Sequence, residues 1–207
     1  MAADGGATNP AGPRPEAVPA PVLNIANVLT VSRLALVPVF VIALFWEGGH
    51  DPLWRWLATA VFVLASVTDR VDGDLARKRG LVTDFGKLAD PIADKALTGA
   101  ALISLSLLGD LGWWATGIIL GRELGITALR FWVIRHGVIP ASRGGKVKTL
   151  LQAVAIGLYL IPVGGWLDLV RFAVLLAAVL ATVYTGADYV ARALRMRAVA
   201  RSGAGAA

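Results

Sequence analysis

The stretch Thr68-Asp69-Arg70-Val71-Asp72-Gly73-Asp74-Leu75-Ala76-Arg77, followed after eight residues by Gly86-Lys87-Leu88-Ala89-Asp90-Pro91-Ile92-Ala93-Asp94, decides how the rest of the chain is read. On a helix, Asp69 and Asp72 stand about 60° and 4.5 Å apart, and Asp90 and Asp94 about 40° and 6 Å apart, so each pair shares a face. Gly86 falls on the stripe of the second pair. Four carboxylates gathered near a membrane repel one another and lose hydration, so their ionised forms need cations. The chain has no cysteine, and His50 and His136 lie far from these pairs in sequence. That donor set suits hard divalent ions, Mg2+ or Mn2+, and two of them could share bridging carboxylates. Gly73, Ala76 and Gly86 leave room for a bulky ligand or another helix, and Arg77, one turn from Gly73, is placed to meet phosphate. Each pair alone could instead be a solvated helix end, Asp69 and Asp72 with Arg70 or Arg77, Asp90 and Asp94 with Lys87 or Lys95. All four on adjoining helix ends argue for a site. Asp74 and Asp84 fit neither stripe and read as solvated.

The flanking sequence is that of a membrane protein. Of 207 residues, 57% are hydrophobic and 16% charged, against roughly 25% charged in an ordinary soluble domain, and the mean hydropathy is +0.67. The apolar residues come in six blocks, at 28–46, 53–67, 96–108, 111–135, 150–163 and 167–190, most of them near the length that crosses a bilayer. Turn signals fall at Glu47-Gly48-Gly49, Gly109-Asp110-Leu111-Gly112, Ser142-Arg143-Gly144-Gly145 and Pro162-Val163-Gly164-Gly165. The expected fold is all-α, a polytopic membrane protein with six transmembrane helices over 23–196. Residues 1–22, rich in Ala, Gly and Pro, read as a disordered tail without the pattern of a signal peptide. Residues 197–207 form a short C-terminal tail, disordered from Ser202. Where the third helix starts is open, because Pro91 fits either a first turn or a kink in a helix begun near Thr83.

The net charge of +6 and pI near 10.2 read as topology and contact with anionic membrane lipid rather than nucleic acid. Arg77, Lys78, Arg79 and Lys87 follow the second block, Arg135, Arg143, Lys146 and Lys148 follow the fourth, and Arg192, Arg195, Arg197 and Arg201 close the chain. The opposite connections offer little beyond Arg55 and Arg171. Both termini are thus expected on the cytosolic side of the cytoplasmic membrane. The polar residues inside the helices follow the same pattern: Asn24, Asn27, Thr30 and Arg33, then Asp69, Asp72 and Arg77, then Asp90, Asp94 and Lys95, then Arg122, Glu123 and Arg130, then Lys146, Lys148, Thr149 and Gln152. With alternating helix direction every one of these ends faces the cytosol, which predicts one polar cavity there. Gly99, Gly117, Gly121 and Gly125 read as close-packing positions, and His50 and His136 as loop residues.

The pattern D-x-x-D-G-x-x-A-R, eight residues, then G-x-x-x-D-x-x-x-D is filled at every fixed position from Asp69 to Asp94. It resembles the signature of the CDP-alcohol phosphotransferases. The resemblance extends from Asn24 to about residue 190, and is carried further by Asn24-Ile25-Ala26-Asn27-Val28-Leu29-Thr30-Val31-Ser32-Arg33, by Arg122-Glu123 with Thr127-Ala128-Leu129-Arg130, and by Gly145-Lys146-Val147-Lys148-Thr149 with Gln152. Those stretches are most similar to the branch that uses sn-glycerol 3-phosphate as acceptor. Gly145–Thr149 lacks the strand-to-helix context of a P-loop.

The resemblance implies a six-helix homodimer whose cytosolic cavity admits lipid, and the reaction of CDP-diacylglycerol with sn-glycerol 3-phosphate to phosphatidylglycerol phosphate and CMP. It implies that Asp69, Asp72, Asp90 and Asp94 hold two Mg2+ or Mn2+, and that Asn27, Thr30, Asp72, Gly73, Ala76, Arg77, Thr83 and Gly86 line the CDP pocket. Asp94 is the expected general base. Arg122, Lys146 and Lys148, then Arg130 and Arg143, are the cations left for the acceptor phosphate. Rival readings are another acceptor (inositol phosphate or phosphatidylglycerol), a cation transporter, which expects midplane carboxylates and internal repeats, and a non-catalytic scaffold, which leaves the complete pattern unexplained.

Overall fold

Six helices follow one another in a computed structural model that describes residues 25–79, 83–133 and 143–204. Within these, the side chains of residues 26, 69–79, 84–88, 90–91, 130–133, 143–144 and 196–204 lie outside the description, as do the expected N-terminal tail and His136. The helices are α1 (Ile25–Phe45), α2 (Pro52–Arg79), α3 (Asp84–Leu107), α4 (Trp113–Val133), α5 (Arg143–Leu160) and α6 (Trp166–Ala204), with a short 3-10 turn at Trp46–Gly49. No strand occurs among the described residues. Asn27–Gly49 and Trp166–Arg195 are long and apolar enough to cross a membrane, and Pro52–Thr68 is a shorter apolar helix.

The turns sit where glycine permits them. Gly48 (φ 76°), Gly49 (φ 84°), Gly109 (φ 78°) and Gly165 (φ 80°) all take the left-handed conformation that costs glycine little. At the third turn signal the structure differs from expectation. Arg143, Gly144 and Gly145 form the first turn of α5 rather than a loop, and the Gly145 carbonyl accepts a bond from Thr149 Oγ1 (3.1 Å). The start of α3 at Asp84 leaves Pro91 inside the helix. α6 runs on through Ala204, into the stretch set apart as a C-terminal tail.

α1 packs on α2 and α3, α5 on α6 and α2, and α4 on α6 and α3. The shared core is Phe40 and Leu44 of α1, Ala58, Phe62 and Ala65 of α2, Leu97, Leu102 and Leu105 of α3, Ile119 of α4 and Leu160 of α5. Phe40 and Phe62 meet with ring centroids 5.9 Å apart. Outward the bundle is apolar too: Val28, Val39 and Ile42 of α1, Leu57 and Leu64 of α2, and Leu169, Leu176 and Leu180 of α6 are all exposed. Gly99 is close-packed as expected, with Leu120 Cδ2 3.8 Å from where its Cβ would stand, but Gly117, Gly121 and Gly125 face open space. α4 meets α3 and α6 with other residues.

One end of the bundle is tied by Arg55. This side chain, read from sequence as a leftover external charge, is buried. Its Nη1 donates to Asp110 Oδ2 (2.5 Å) and the Gly49 carbonyl (3.1 Å), its Nη2 to the Tyr159 carbonyl (2.9 Å), and its Nε to the Leu160 carbonyl (3.3 Å). The end of α1, the start of α2, the α3–α4 turn and the end of α5 are thereby joined by one guanidinium, which also satisfies terminal carbonyls that a helix leaves unpaired. His50 Nε2 lies 3.2 Å from Asp110 Oδ1. Trp46, Trp54, Trp56, Trp113, Trp114 and Trp166 gather at this same end, and Trp46 and Trp54 stack with centroids 5.1 Å apart. Arg55→Ala is expected to destabilise the bundle by on the order of 3 kcal/mol, since it strands Asp110 and several carbonyls. Thermal unfolding in detergent checks this, and an unchanged midpoint would mean the guanidinium ties nothing.

Candidate active site

The other end is polar, as the alternation of helix directions requires. Asn27, Thr30 and Arg33, on successive turns of one face of α1, are all buried, and Arg33 stands eight residues into α1, about 12 Å from its start. Thr83, immediately before α3, is buried and donates through Oγ1 to Asn27 Oδ1 (2.8 Å). Two residues expected in the CDP pocket, 56 positions apart in sequence, are thus in direct contact.

Five helices enclose a cavity of about 150 Å³ at this end. Arg33 comes from α1, Phe62 and Ser66 from α2, Asp94, Lys95 and Thr98 from α3, Glu123 and Leu124 from α4, and Lys148, Thr149 and Gln152 from α5. Asp94 and Lys148 were singled out by sequence, and the structure brings both to one cavity. Its polar walls are bonded to one another. Glu123 Oε1 accepts from Lys148 Nζ and from Arg122 Nη1, the latter at 3.2 Å. Arg122 Nη2 donates to Thr185 Oγ1 of α6 (3.1 Å). Lys95 Nζ donates to Thr127 Oγ1, which in turn donates to the Glu123 carbonyl (2.7 Å). Gln152 Nε2 donates to Thr182 Oγ1 of α6 (3.0 Å).

Arg122 owes its path to Gly186. A Cβ there would stand 3.1 Å from Arg122 Cγ and 3.4 Å from Nε, and Nε is buried with no hydrogen-bond acceptor among the described residues. Lys146 is exposed and does not line the cavity. Asp69, Asp72, Gly73, Ala76 and Arg77 lie on the C-terminal part of α2, and Gly86 and Asp90 on the N-terminal part of α3, at the same end of the bundle. Their side chains, like those of Arg130 and Arg143, lie outside the described residues. The sequence reading placed Arg33, Lys95 and Glu123 at the polar cavity without giving them a role in it, and passed over Ser66 and Thr98. For Arg33, Lys95 and Glu123 the signal was an ionisable group inside an apolar helix. Ser66 and Thr98 gave none.

A bundle of six helices with an aspartate-bearing polar end defines a class, and the comparisons agree on which. The family model for CDP-alcohol phosphatidyltransferase matches residues 23–184, and the chain belongs to that family. It is 59% identical over 174 residues to a protein of Mycobacterium tuberculosis named "Probable phosphatidylglycerophosphate synthase", covering 84% of this chain and 83% of that one. It is 39% identical over 171 residues to the CDP-diacylglycerol--glycerol-3-phosphate 3-phosphatidyltransferase of Rickettsia bellii, covering 80% and 93%. The Bacillus subtilis protein of that name is 39% identical over 148 residues, covering 67% and 77%.

The Asn27–Thr83 bond makes its own prediction. Each truncation to alanine is expected to cost about 1–2 kcal/mol, and the double variant less than the sum, because removing one group already breaks the shared bond. Thermal unfolding of the three variants measures it; additive losses would show two independent residues.

Proposed function

We propose that this chain transfers the phosphatidyl group of CDP-diacylglycerol to sn-glycerol 3-phosphate, the transfer its relatives are named for, and releases CMP. The observation that carries the reading is that Asp94 and Lys148, assigned from sequence to the acceptor's hydroxyl and to its phosphate, line one cavity.

The setting is a six-span membrane protein in the cytoplasmic membrane, with both termini and the site on the cytosolic side, working as a homodimer. Support for the topology comes from the outward apolar faces of α1, α2 and α6 and from the tryptophans collected at the end opposite the polar one, since tryptophan favours the membrane interface. Basic residues mark the other end as cytosolic.

Asp69, Asp72, Asp90 and Asp94 are an all-oxygen donor set on the consecutive helices α2 and α3, and that chemistry fits two Mg2+ or Mn2+. The ions would supply charge neutralisation for a pyrophosphate and its departing CMP. Asn27 and Thr83, held together by their hydrogen bond, form the α1 side of the CDP pocket with Thr30, and Asp72, Gly73, Ala76, Arg77 and Gly86 form the rest. Arg122 and Lys148 grip the acceptor phosphate, with Lys146, Arg130 and Arg143 as secondary cations. Held there, the acceptor presents its 1-hydroxyl toward Asp94. That carboxylate takes the proton as the oxygen attacks the β-phosphorus in line, and the bond to the bridging oxygen breaks to release CMP. No covalent enzyme intermediate is needed.

The direct assay is CMP release by the purified protein from CDP-diacylglycerol and Mn2+ with a panel of acceptors. Glycerol 3-phosphate is expected to support it, and inositol phosphate or phosphatidylglycerol not; equal rates with all three would refute the acceptor assignment. Asp94→Asn is expected to lose about 10²-fold or more in turnover while CDP-diacylglycerol still binds; near-normal turnover would remove Asp94 from the role. Lys148→Ala should raise KM for glycerol 3-phosphate about tenfold or more and that for the lipid far less. The exposed Lys146 should matter less than Lys148, and a larger effect at Lys146 would move the phosphate outside the cavity.

A further inference from the structure

Glu123 is a carboxylate standing in a place assigned to an anion. Its Oε1 takes a hydrogen bond from each of the two cations named for the acceptor phosphate, Lys148 and Arg122. Both cations are inside the protein: Lys148 is buried and the Arg122 side chain is 17% exposed. Left without an anion, two such charges lose hydration and repel each other, a state that costs several kcal/mol in protein interiors. Among the described residues about the cavity, the cations Arg33, Lys95, Lys148 and Arg122 stand with the carboxylates Asp94 and Glu123.

We propose that Glu123 is an internal stand-in for the acceptor's phosphate: it holds Lys148 and Arg122 charged and in place while the site is empty, and yields Lys148 to the phosphate when the acceptor binds. The inference rests on the acceptor site proposed above and adds a specificity-determining residue to it. Lys148 is the cation that changes hands, since its ammonium is a point charge whose three donors can turn from carboxylate to phosphate. Arg122 stays, because Thr185 and the gap at Gly186 hold its far side. An acceptor without a dianionic group cannot displace the carboxylate, so Glu123 selects for phosphate by competing with it.

The sign of the prediction separates a stand-in from a merely positioning carboxylate. Glu123→Gln keeps the shape and removes the charge, so the empty protein becomes less stable and the phosphate meets no competitor. We expect the variant's thermal midpoint without ligand to fall, the rise given by inorganic phosphate or glycerol 3-phosphate to grow, and KM for glycerol 3-phosphate to drop at least about fivefold, with KM for CDP-diacylglycerol unchanged. In a Lys148→Ala background the same substitution should leave KM for glycerol 3-phosphate where Lys148→Ala alone puts it. A KM that rises or stays constant in Glu123→Gln, with the parent protein active on glycerol 3-phosphate, overturns the stand-in and leaves the proposed reaction untouched. An inactive parent protein overturns the reaction itself. If Glu123→Gln does not fold, the lysine-free pair still decides: Glu123→Gln with Lys148→Ala, matched against Lys148→Ala, must show equal KM.

Discussion

Charged groups in a membrane helix are tolerated only where water, a cation or a partner reaches them, and that constraint orders this molecule from end to end. Arg55 apart, every helix from α1 to α5 carries its ionisable or amide side chains within a few turns of one end, and because successive helices reverse, those ends coincide. The cavity is a consequence. Arg33, Asp94, Lys95, Glu123, Lys148 and Gln152 cannot face hydrocarbon, so they face one another. Hydrogen bonds from Lys148 to Glu123, from Lys95 to Thr127 and from Arg122 to Thr185 then connect α3, α4, α5 and α6 at the depth where chemistry is proposed.

The opposite end obeys the same constraint by another device. Arg55 sits among helix termini, where unpaired carbonyls are plentiful, and its planar fork collects three of them and Asp110. The bundle is therefore closed by a buried cation at one end and opened by a charged cavity at the other. Between them lies the apolar core of Phe40, Phe62, Leu102, Leu105 and Leu160.

Much of this was legible in the sequence, because bilayer-length apolar blocks and left-handed glycine turns are local signals. The helix alternation, the three turns at Gly48–Gly49, Gly109 and Gly165, and the polarity of one end follow from them. Contacts between distant positions are not local. Arg55 carries no mark in sequence that its partner is Asp110, 55 residues on, and so it read as a stray external charge. Glu123 was visible as a polar residue beside Arg122, but its place opposite Lys148 depends on how α4 and α5 are set side by side. Gly186 shows nothing until the Arg122 stem is seen to pass over it. Arg143 and its two glycines looked like a turn because glycine pairs usually are one, yet the first turn of a helix accepts them as well.

The claim beneath all of these is that the Glu47 end and the Lys146 end of the bundle lie on opposite sides of one membrane. The chain contains no cysteine, so Glu47→Cys and Lys146→Cys each create a single thiol for a membrane-impermeant maleimide. Labelling of Lys146→Cys only in inside-out vesicles and of Glu47→Cys only in right-side-out ones is the predicted result. Labelling of both from the same side would contradict the account.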